Sequence, residues 1–370
     1  MKIYFVNNIL EKYAFLLVNY CLDLKKGEKL FVSSTTLAEP LVREVYREAL
    51  RVGAIVEVEL DFREKNKIFF EEAQNEQLDY VPMQYRTAMQ DFDAYLYIRA
   101  PFNLQDAAAG DAEKSKRFKT ANAPFHKLYF ERTATRNLKR NLCQFPTMAA
   151  AQNASMSLEE YEKFVFNACK LYEPDPMAAW LEVRKSQQSV VDYLNNCENV
   201  RYLGENIDIS FNTKGRTWIN SDGQTNMPSG EVYTSPIENS VNGTIHFSFP
   251  GIYGGNEVEN VTLWVKDGLI EKWEAKRGKD YLDYIFSLEG TRRFGEAAIG
   301  TNYNIQRMTK NILFDEKIGG SVHMAIGQSY LQCGGKNESA VHWDMITDMT
   351  NGGEIFADGE KIYQNGKFLI

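Results

Sequence analysis

Two of the chain's four histidines, His323 and His342, fall within its last fifty residues, among acidic side chains. Read forward, the polar set is Glu231, Glu296, Asp315, Glu316, His323, His342 and Asp344. Imidazoles mixed with carboxylates suit zinc, manganese, cobalt or iron better than calcium or magnesium alone. Four donors satisfy one zinc ion, whereas six or seven candidates point to two ions sharing a bridging carboxylate. Hydrolysis is the leading chemistry for such a pair.

The strongest local signal is Val341-His342-Trp343-Asp344-Met345. Its alternation predicts a strand with Val341, Trp343 and Met345 on one face and His342 and Asp344 on the other. On a helix the two polar residues would diverge by about 200°. Alone, a His-x-Asp pair is more often a core or surface pair than a ligand pair. The segment Ser321-Val322-His323-Met324-Ala325-Ile326 repeats the logic, with His323 projecting between small Ser321 and Ala325. Glu231 follows a Pro/Gly turn, Asn226 to Gly230, that could present it to a cavity. Glu296 beside Arg292 and Arg293, and Asp315-Glu316-Lys317, read equally well as surface ion pairs and a solvated turn. Tyr330 precedes the Gly334-Gly335 turn, where a phenol could donate to an oxyanion. Asp222, Asn226, Asn302 and Arg307 are further polar residues beside glycine turns, with surface roles the ordinary expectation. Cys333 lies among carboxylates that disfavour its thiolate. There is no G-x-S-x-G elbow, no G-x-G-x-x-G and no complete Walker loop.

The elements that must position these residues differ between the two parts of the chain. Helical spacing over residues 8–23, a strand at 29–33, a helix over 37–51 and a strand at 55–60 make a βαβ unit, hence parallel pairing. A helix near 78–91 and a strand at 95–98 extend it. Ser157 to Glu160 is a capping box opening a helix to about Leu171, and a further helix is predicted over 178–195. Beyond Cys197, short β-rich runs (Ile207–Phe211, Thr244–Phe249, Val261–Val265) alternate with Gly/Asn/Asp turns. The expected architecture is an α/β domain with a partly parallel sheet over 1–197 and a β-rich α+β metal-binding domain over 198–370.

The net charge of −8 argues against a nucleic-acid partner, whose phosphates demand a basic surface. The acidity is uneven: from Asn196 onward 23 acidic residues face 16 basic ones, leaving the earlier part near −1. A basic run from Lys114 to Arg140 is flanked by acids and reads as a solvated helical face. Five scattered cysteines without a C-x-x-C pair read as free thiols in a reducing compartment. Asn7, Asn8, Glu11 and Lys12 interrupt any signal-peptide core, and no run is long and apolar enough to span a membrane. A cytoplasmic location is expected.

Four ordered segments carry a resemblance: Trp218–Tyr233 (WINSDGQTNMPSGEVY), Gly295–Arg307 (GEAAIGTNYNIQR), Asn311–His323 (NILFDEKIGGSVH) and Gly334–Asp344 (GGKNESAVHWD). Together they resemble the aminopeptidase T family of dinuclear metallo-aminopeptidases, which includes the streptococcal-type peptidase S enzymes. The similarity extends through most of the chain. The resemblance implies metal ligands at Glu231, Glu296, Glu316, His323, His342 and Asp344, and a catalytic tyrosine at Tyr330. It implies two divalent ions per chain (Zn, Co, Mn or Mg), small peptides as substrates and a homodimer enclosing the active sites. Glu296 or Glu316 would take the attacking water's proton. The chain is shorter than many members between His323 and His342, and Tyr330–Cys333 lacks their usual proline, which leaves the preferred N-terminal residue open. The other readings are a mononuclear iron ring-cleaving dioxygenase using His323, His342 and Asp344, and a metal-stabilised binding protein without turnover.

Overall fold

The computed structural model describes residues 9–104 and 112–370. Asn7 and Asn8, on which the reading of the N-terminus partly rests, lie outside them. The chain forms two compact units: one runs to Met177 and takes in Gly223–Pro228, the other holds Ala178–Asp222 and Ser229–Ile370. The junction expected at 197/198 lies instead near the start of the helix Pro176–Leu194. That helix sorts with the second unit because Val190, Val191 and Leu194 pack into its core.

The first unit is built on a five-stranded, wholly parallel sheet. Its order is Ile55–Asp61, Lys29–Thr35, Ala94–Arg99, Lys139–Gln144 and the short Asn226–Met227. The predicted βαβ unit is present. Helix Glu39–Arg51 carries Pro40 in its first turn and buries Leu41, Val42, Val45 and Ala49, the stripe a 3.6-residue period allows. The single helix expected near 78–91 is two, Asn75–Leu78 and Met83–Asp91. Pro82 keeps the two apart because its ring disfavours helical backbone at Val81. The capping box is real: the Ser157 hydroxyl accepts from the Glu160 amide, and the Glu160 carboxylate accepts from the Ser157 amide. The basic run lies largely on helix Ala112–Ala134. There Arg117 pairs with Asp79, and Arg132 donates to the carbonyls of Met89 and Phe92. No described helix is long and apolar enough to cross a membrane.

The second unit holds an eight-stranded sheet and a five-stranded sheet. The latter is antiparallel throughout, in the order His342–Asp348, Ser321–Gly327, Phe294–Gly300, Glu231–Thr234, Ile219–Ser221. One apolar core runs through both sheets, joining Tyr202, Ile209, Ile245 and Leu263 to Val232, Ile299, Val322, Met324, Ile326, Trp343 and Met345. Each such aliphatic side chain, withdrawn from water, contributes roughly 1.5–3 kcal/mol. With one face of the five-stranded sheet fixed inward by these residues, the alternate positions must point the other way.

Candidate metal centre

That other face gathers the polar residues. Val322, Met324 and Ile326 enter the core, so His323 projects opposite; Trp343 and Met345 enter it, so His342 and Asp344 do the same. Val232 likewise commits Glu231 and Tyr233. Glu296 needs a further device. Phe294 and Ala297 both face the core, which an unbroken strand cannot manage, and a bulge between Phe294 and Glu296 resets the alternation. Gly295 sits at the irregularity, where a Cβ would lie 2.2 Å from the Gln328 carbonyl oxygen. Only glycine tolerates that approach.

Across the strands each candidate ligand meets a small partner. His323 pairs with Ala298, and Ala325 pairs with Glu296 on one side and Asp344 on the other. Glu231 pairs with Gly300, and His342 with Gly327. Paired residues share a face, so this checkerboard of Ala and Gly leaves the long polar side chains room to converge. Replacing Ala325, which is fully buried, with Leu is expected to drive a branched side chain between Glu296 and Asp344. Metal retention should be lost and about 1–3 kcal/mol of stability with it, measurable by elemental analysis and thermal unfolding.

Two triads result, Glu231–Glu296–His323 and Glu296–His342–Asp344. Nε2 of His323 lies 3.5 Å from Glu231 Oε2 and 3.6 Å from Glu296 Oε1. Nε2 of His342 lies 3.1 Å from Glu296 Oε2 and 3.5 Å from Asp344 Oδ1. Glu296 thus offers one oxygen to each imidazole, the disposition of a bridging carboxylate. Nδ1 of His342 lies 2.7 Å from the Gln328 carbonyl and donates to it, so Nε2 is the nitrogen left for a cation. Despite these approaches, Glu231 Oε2, His342 Nε2 and Asp344 Oδ1 are buried without a hydrogen-bond partner among the described residues, as is His323 Nδ1. Buried polar atoms are rarely left so. Divalent cations held by Glu231, His342 and Asp344 would satisfy the three that face the cluster, and the donor set fits a borderline metal.

The charges bear this out. Burial would lower the His323 pKa, but Glu296 and Glu231 outweigh it and lift it to about 9. His342 is likewise held well above its ordinary value: burial opposes, and Asp344 and Glu296 prevail. Burial would raise Asp344, yet His342 holds it well below the usual carboxylate range. Burial raises Glu231. Protons occupy the centre when no cation does, and loading must displace them.

Glu316 stands outside both triads. Its carboxylate is taken by Lys317, whose ammonium is fully buried and also lies 3.6 Å from Glu231 Oε1. The turn that reads as solvated is therefore interior. Asp315 is 2% exposed and accepts from the Thr309 amide and hydroxyl and from the Asn311 amide, bracing the loop ahead of Glu316. Burial still pushes the Glu316 carboxyl up to about 8, against the pull of Lys317. Tyr330 packs against His342, ring centroids 4.9 Å apart, and against Tyr233 at 5.2 Å. Burial and then Glu296 hold its phenol far above the ordinary value, so it remains a donor. Cys333 is buried with its thiol pKa raised, which removes it as a nucleophile. Asp222 pairs with Arg184, and Asn302 donates to the Ser229 carbonyl.

Two contributors escaped the sequence. One is Lys317. The other is Gln187, 3% exposed on helix Pro176–Leu194. Its amide donates to Asn220 Oδ1 and to the carbonyls of Ser221 and Glu231, and its carbonyl accepts from Thr301. It thereby ties the Glu231 strand to its neighbours from 44 positions away in sequence, a distance at which no local pattern could reveal it.

A solved structure, wild-type AmpT from Thermus thermophilus, is similar to this chain: TM-score 0.84 at 24% identity, covering 98% of this chain and 99% of that one. At that identity the likeness speaks for the fold. Among curated relatives, Aminopeptidase 2 of Geobacillus stearothermophilus is 29% identical over 98% of each chain. Aminopeptidase PepS of Streptococcus thermophilus is 28% identical over the same shares. The model of the thermophilic metalloprotease family M29 matches residues 6–368, nearly the whole length. With this coverage added to two carboxylate–imidazole triads on one sheet face, the chain belongs to the M29 thermophilic metalloproteases.

Proposed function

We propose that this metallopeptidase is an aminopeptidase that releases N-terminal residues from small peptides, with two divalent ions held by triads that share Glu296. The observation that carries this is the division of Glu296 between the imidazoles, one oxygen to each, in a chain whose end-to-end relatives are named aminopeptidases. Glu231, Glu296 and His323 would hold one ion, and Glu296, His342 and Asp344 the other. Ions in such a set supply Lewis acidity and a water made nucleophilic near neutral pH.

The chain's own residues do the rest. The Gln328 carbonyl fixes the His342 tautomer, and Tyr330 donates its phenolic proton to the oxyanion that develops on the scissile carbonyl. Glu296 has both oxygens committed, which leaves Glu316 to accept the water's proton. A cleft of about 560 Å³ is lined by Gln328, Leu331, Gly335 and Asn337, and its one link to the centre is the Gln328 carbonyl that contacts His342. We also propose zinc, cobalt, manganese or magnesium as the ions, a homodimer as the assembly, and the cytoplasm as the compartment.

A single-iron oxygenase is not favoured, because it has no use for buried Glu231 and Glu296 beside its three ligands. A binding protein without turnover has no use for a buried phenol over the cluster. The test is the chelator-stripped full chain assayed on aminoacyl-nitroanilides with and without zinc, cobalt or manganese. Activity should vanish on stripping, return with two ions per chain, and be absent on N-acetylated substrates. Turnover that survives stripping, or equal cleavage of acetylated substrates, would overturn the reading.

A further inference from the structure

Ser235 is fully buried just past the end of strand Glu231–Thr234, and its hydroxyl touches two parts of the site at once. It donates to the Gly295 carbonyl at 2.7 Å and accepts from the Tyr330 amide at 3.1 Å. Gly295 is the buried residue at the bulge that turns Glu296 onto the polar face, and a bulge leaves its extra residue outside the ladder. The neighbouring strand cannot continue that ladder. Beyond the Ala297–Thr234 pair it runs through Ser235 into Pro236, which has no amide hydrogen. A buried carbonyl still needs a donor, and the Ser235 hydroxyl is that donor. Tyr330 depends on the same group. Its carbonyl accepts from the amides of Cys333 and Gly335, which closes its turn on itself, whereas its amide reaches across to Ser235. The fit has no slack: a Cβ on Gly335 would lie 2.7 Å from Ser235 Oγ and 2.5 Å from Ser329 Cβ.

From this shared hydroxyl we infer that Ser235 is a positioning residue for the hydrolysis: it locks the turn that carries Tyr330 to the bulge that aims Glu296, and so holds the phenol in register with the bridging carboxylate. Ser235 ligates no metal, and its effect passes through Tyr330. The inference rests on the oxyanion role proposed for Tyr330 and deepens it. Such register matters because a misplacement of about 1 Å costs a rate on the order of 100-fold.

A double-mutant cycle with Tyr330→Phe tests it, using the cobalt-loaded full chain and an aminoacyl-nitroanilide. Ser235→Ala should lower kcat on the order of 10-fold while KM changes by less than about threefold. Its cobalt content and visible absorption should match the wild type, because no ligand has been touched. In the Tyr330→Phe background the same substitution should cost less than about twofold, since the phenol it positions is gone. Ser235→Cys fills nearly the same space with a weaker donor; its kcat should fall between wild type and Ser235→Ala, and it carries the cycle if the alanine variant does not fold. Equal losses in the two backgrounds, a lost cobalt ion, or wild-type kcat in Ser235→Ala would each overturn the inference while sparing Tyr330 as the donor. Full turnover by Tyr330→Phe alone would remove Tyr330 as the donor, and the inference with it.

Discussion

Glu296→Gln is expected to abolish turnover, by at least about 10⁴-fold in kcat/KM, which is roughly 5.5 kcal/mol of transition-state stabilisation. Its carboxylate serves both triads. Each other triad member belongs to one, so losing it leaves the second ion's donors intact. The amide keeps the shape but has a single acceptor oxygen and no charge, so neither site retains three good donors. The discriminating measurement is metal content. Both ions should be lost from Glu296→Gln, whereas His342→Ala should lose one. If the Gln variant retains one ion tightly, Glu296 is a ligand of one site and not a bridge. Fold stability is a separate readout. Without metal, Glu296 is the negative partner of two imidazoles whose pKa values are raised. A raised imidazole pKa stabilises the folded chain fully below the unfolded value and less as pH rises through the folded one. The metal-free wild type should therefore lose this contribution between about pH 6.5 and 9, as His323 gives up its proton. Metal-free Glu296→Gln should show a flatter dependence of melting temperature on pH over that window.

What could be seen in advance follows from the range over which each residue's environment is decided. His342 and Asp344 were legible because two-residue alternation beside Trp343 and Met345 is a local fact, and the sheet reproduces it. His323 was legible for the same reason. Glu296 was not, because the bulge at Gly295 breaks the parity that would have placed it; its assignment came from resemblance to a family. The same holds for Glu231, whose place depends on pairing with Gly300 far along the chain. In the first unit the strand–helix–strand pattern was readable because Leu30-Phe31-Val32 is a short apolar run and Ile55–Leu60 alternates, both of them local signals. Where the junction falls is a tertiary matter: it is expected at 197/198, and the first unit's main segment ends at Met177. A helix belongs to whichever core its apolar stripe enters, and nothing in Pro176–Leu194 states which.

The Asp315-Glu316-Lys317 turn shows the limit most clearly. Three consecutive charges normally mean solvent. Here Asp315 and Lys317 are buried at 2% and 0% exposure, each with partners from other parts of the chain or from the centre itself. A buried charge is tolerated where hydrogen bonds or an opposite charge await it: Asp315 has the hydrogen bonds, and the partner of Lys317 is the excess of carboxylate that the metal centre itself requires. The acidic surplus of the second part of the chain, which solubility would explain equally well from sequence alone, is thus partly an interior feature.

Tyr330→Phe is expected to lower kcat by about 10²–10³-fold, the usual effect of removing one oxyanion donor, with KM and metal content changed by less than about threefold. The ring should hold its place, because its packing against His342 and Tyr233 involves the aromatic faces and not the hydroxyl. The loss would therefore fall on an interaction made in the transition state, which lowers kcat and kcat/KM together. Because burial and the neighbouring carboxylates keep the phenol protonated far into the alkaline range, the wild type should show no alkaline fall in kcat arising from Tyr330 below about pH 10. An ionising phenol would instead impose one that the Phe variant lacks. Tyr233 lies on the same sheet face and is the rival donor, its pKa likewise raised by burial. Steady-state kinetics on Tyr330→Phe and Tyr233→Phe separate the two. Should Tyr330→Phe turn over within threefold of wild type while Tyr233→Phe collapses, the oxyanion donor is Tyr233, and Tyr330 serves only to pack against the His342 imidazole.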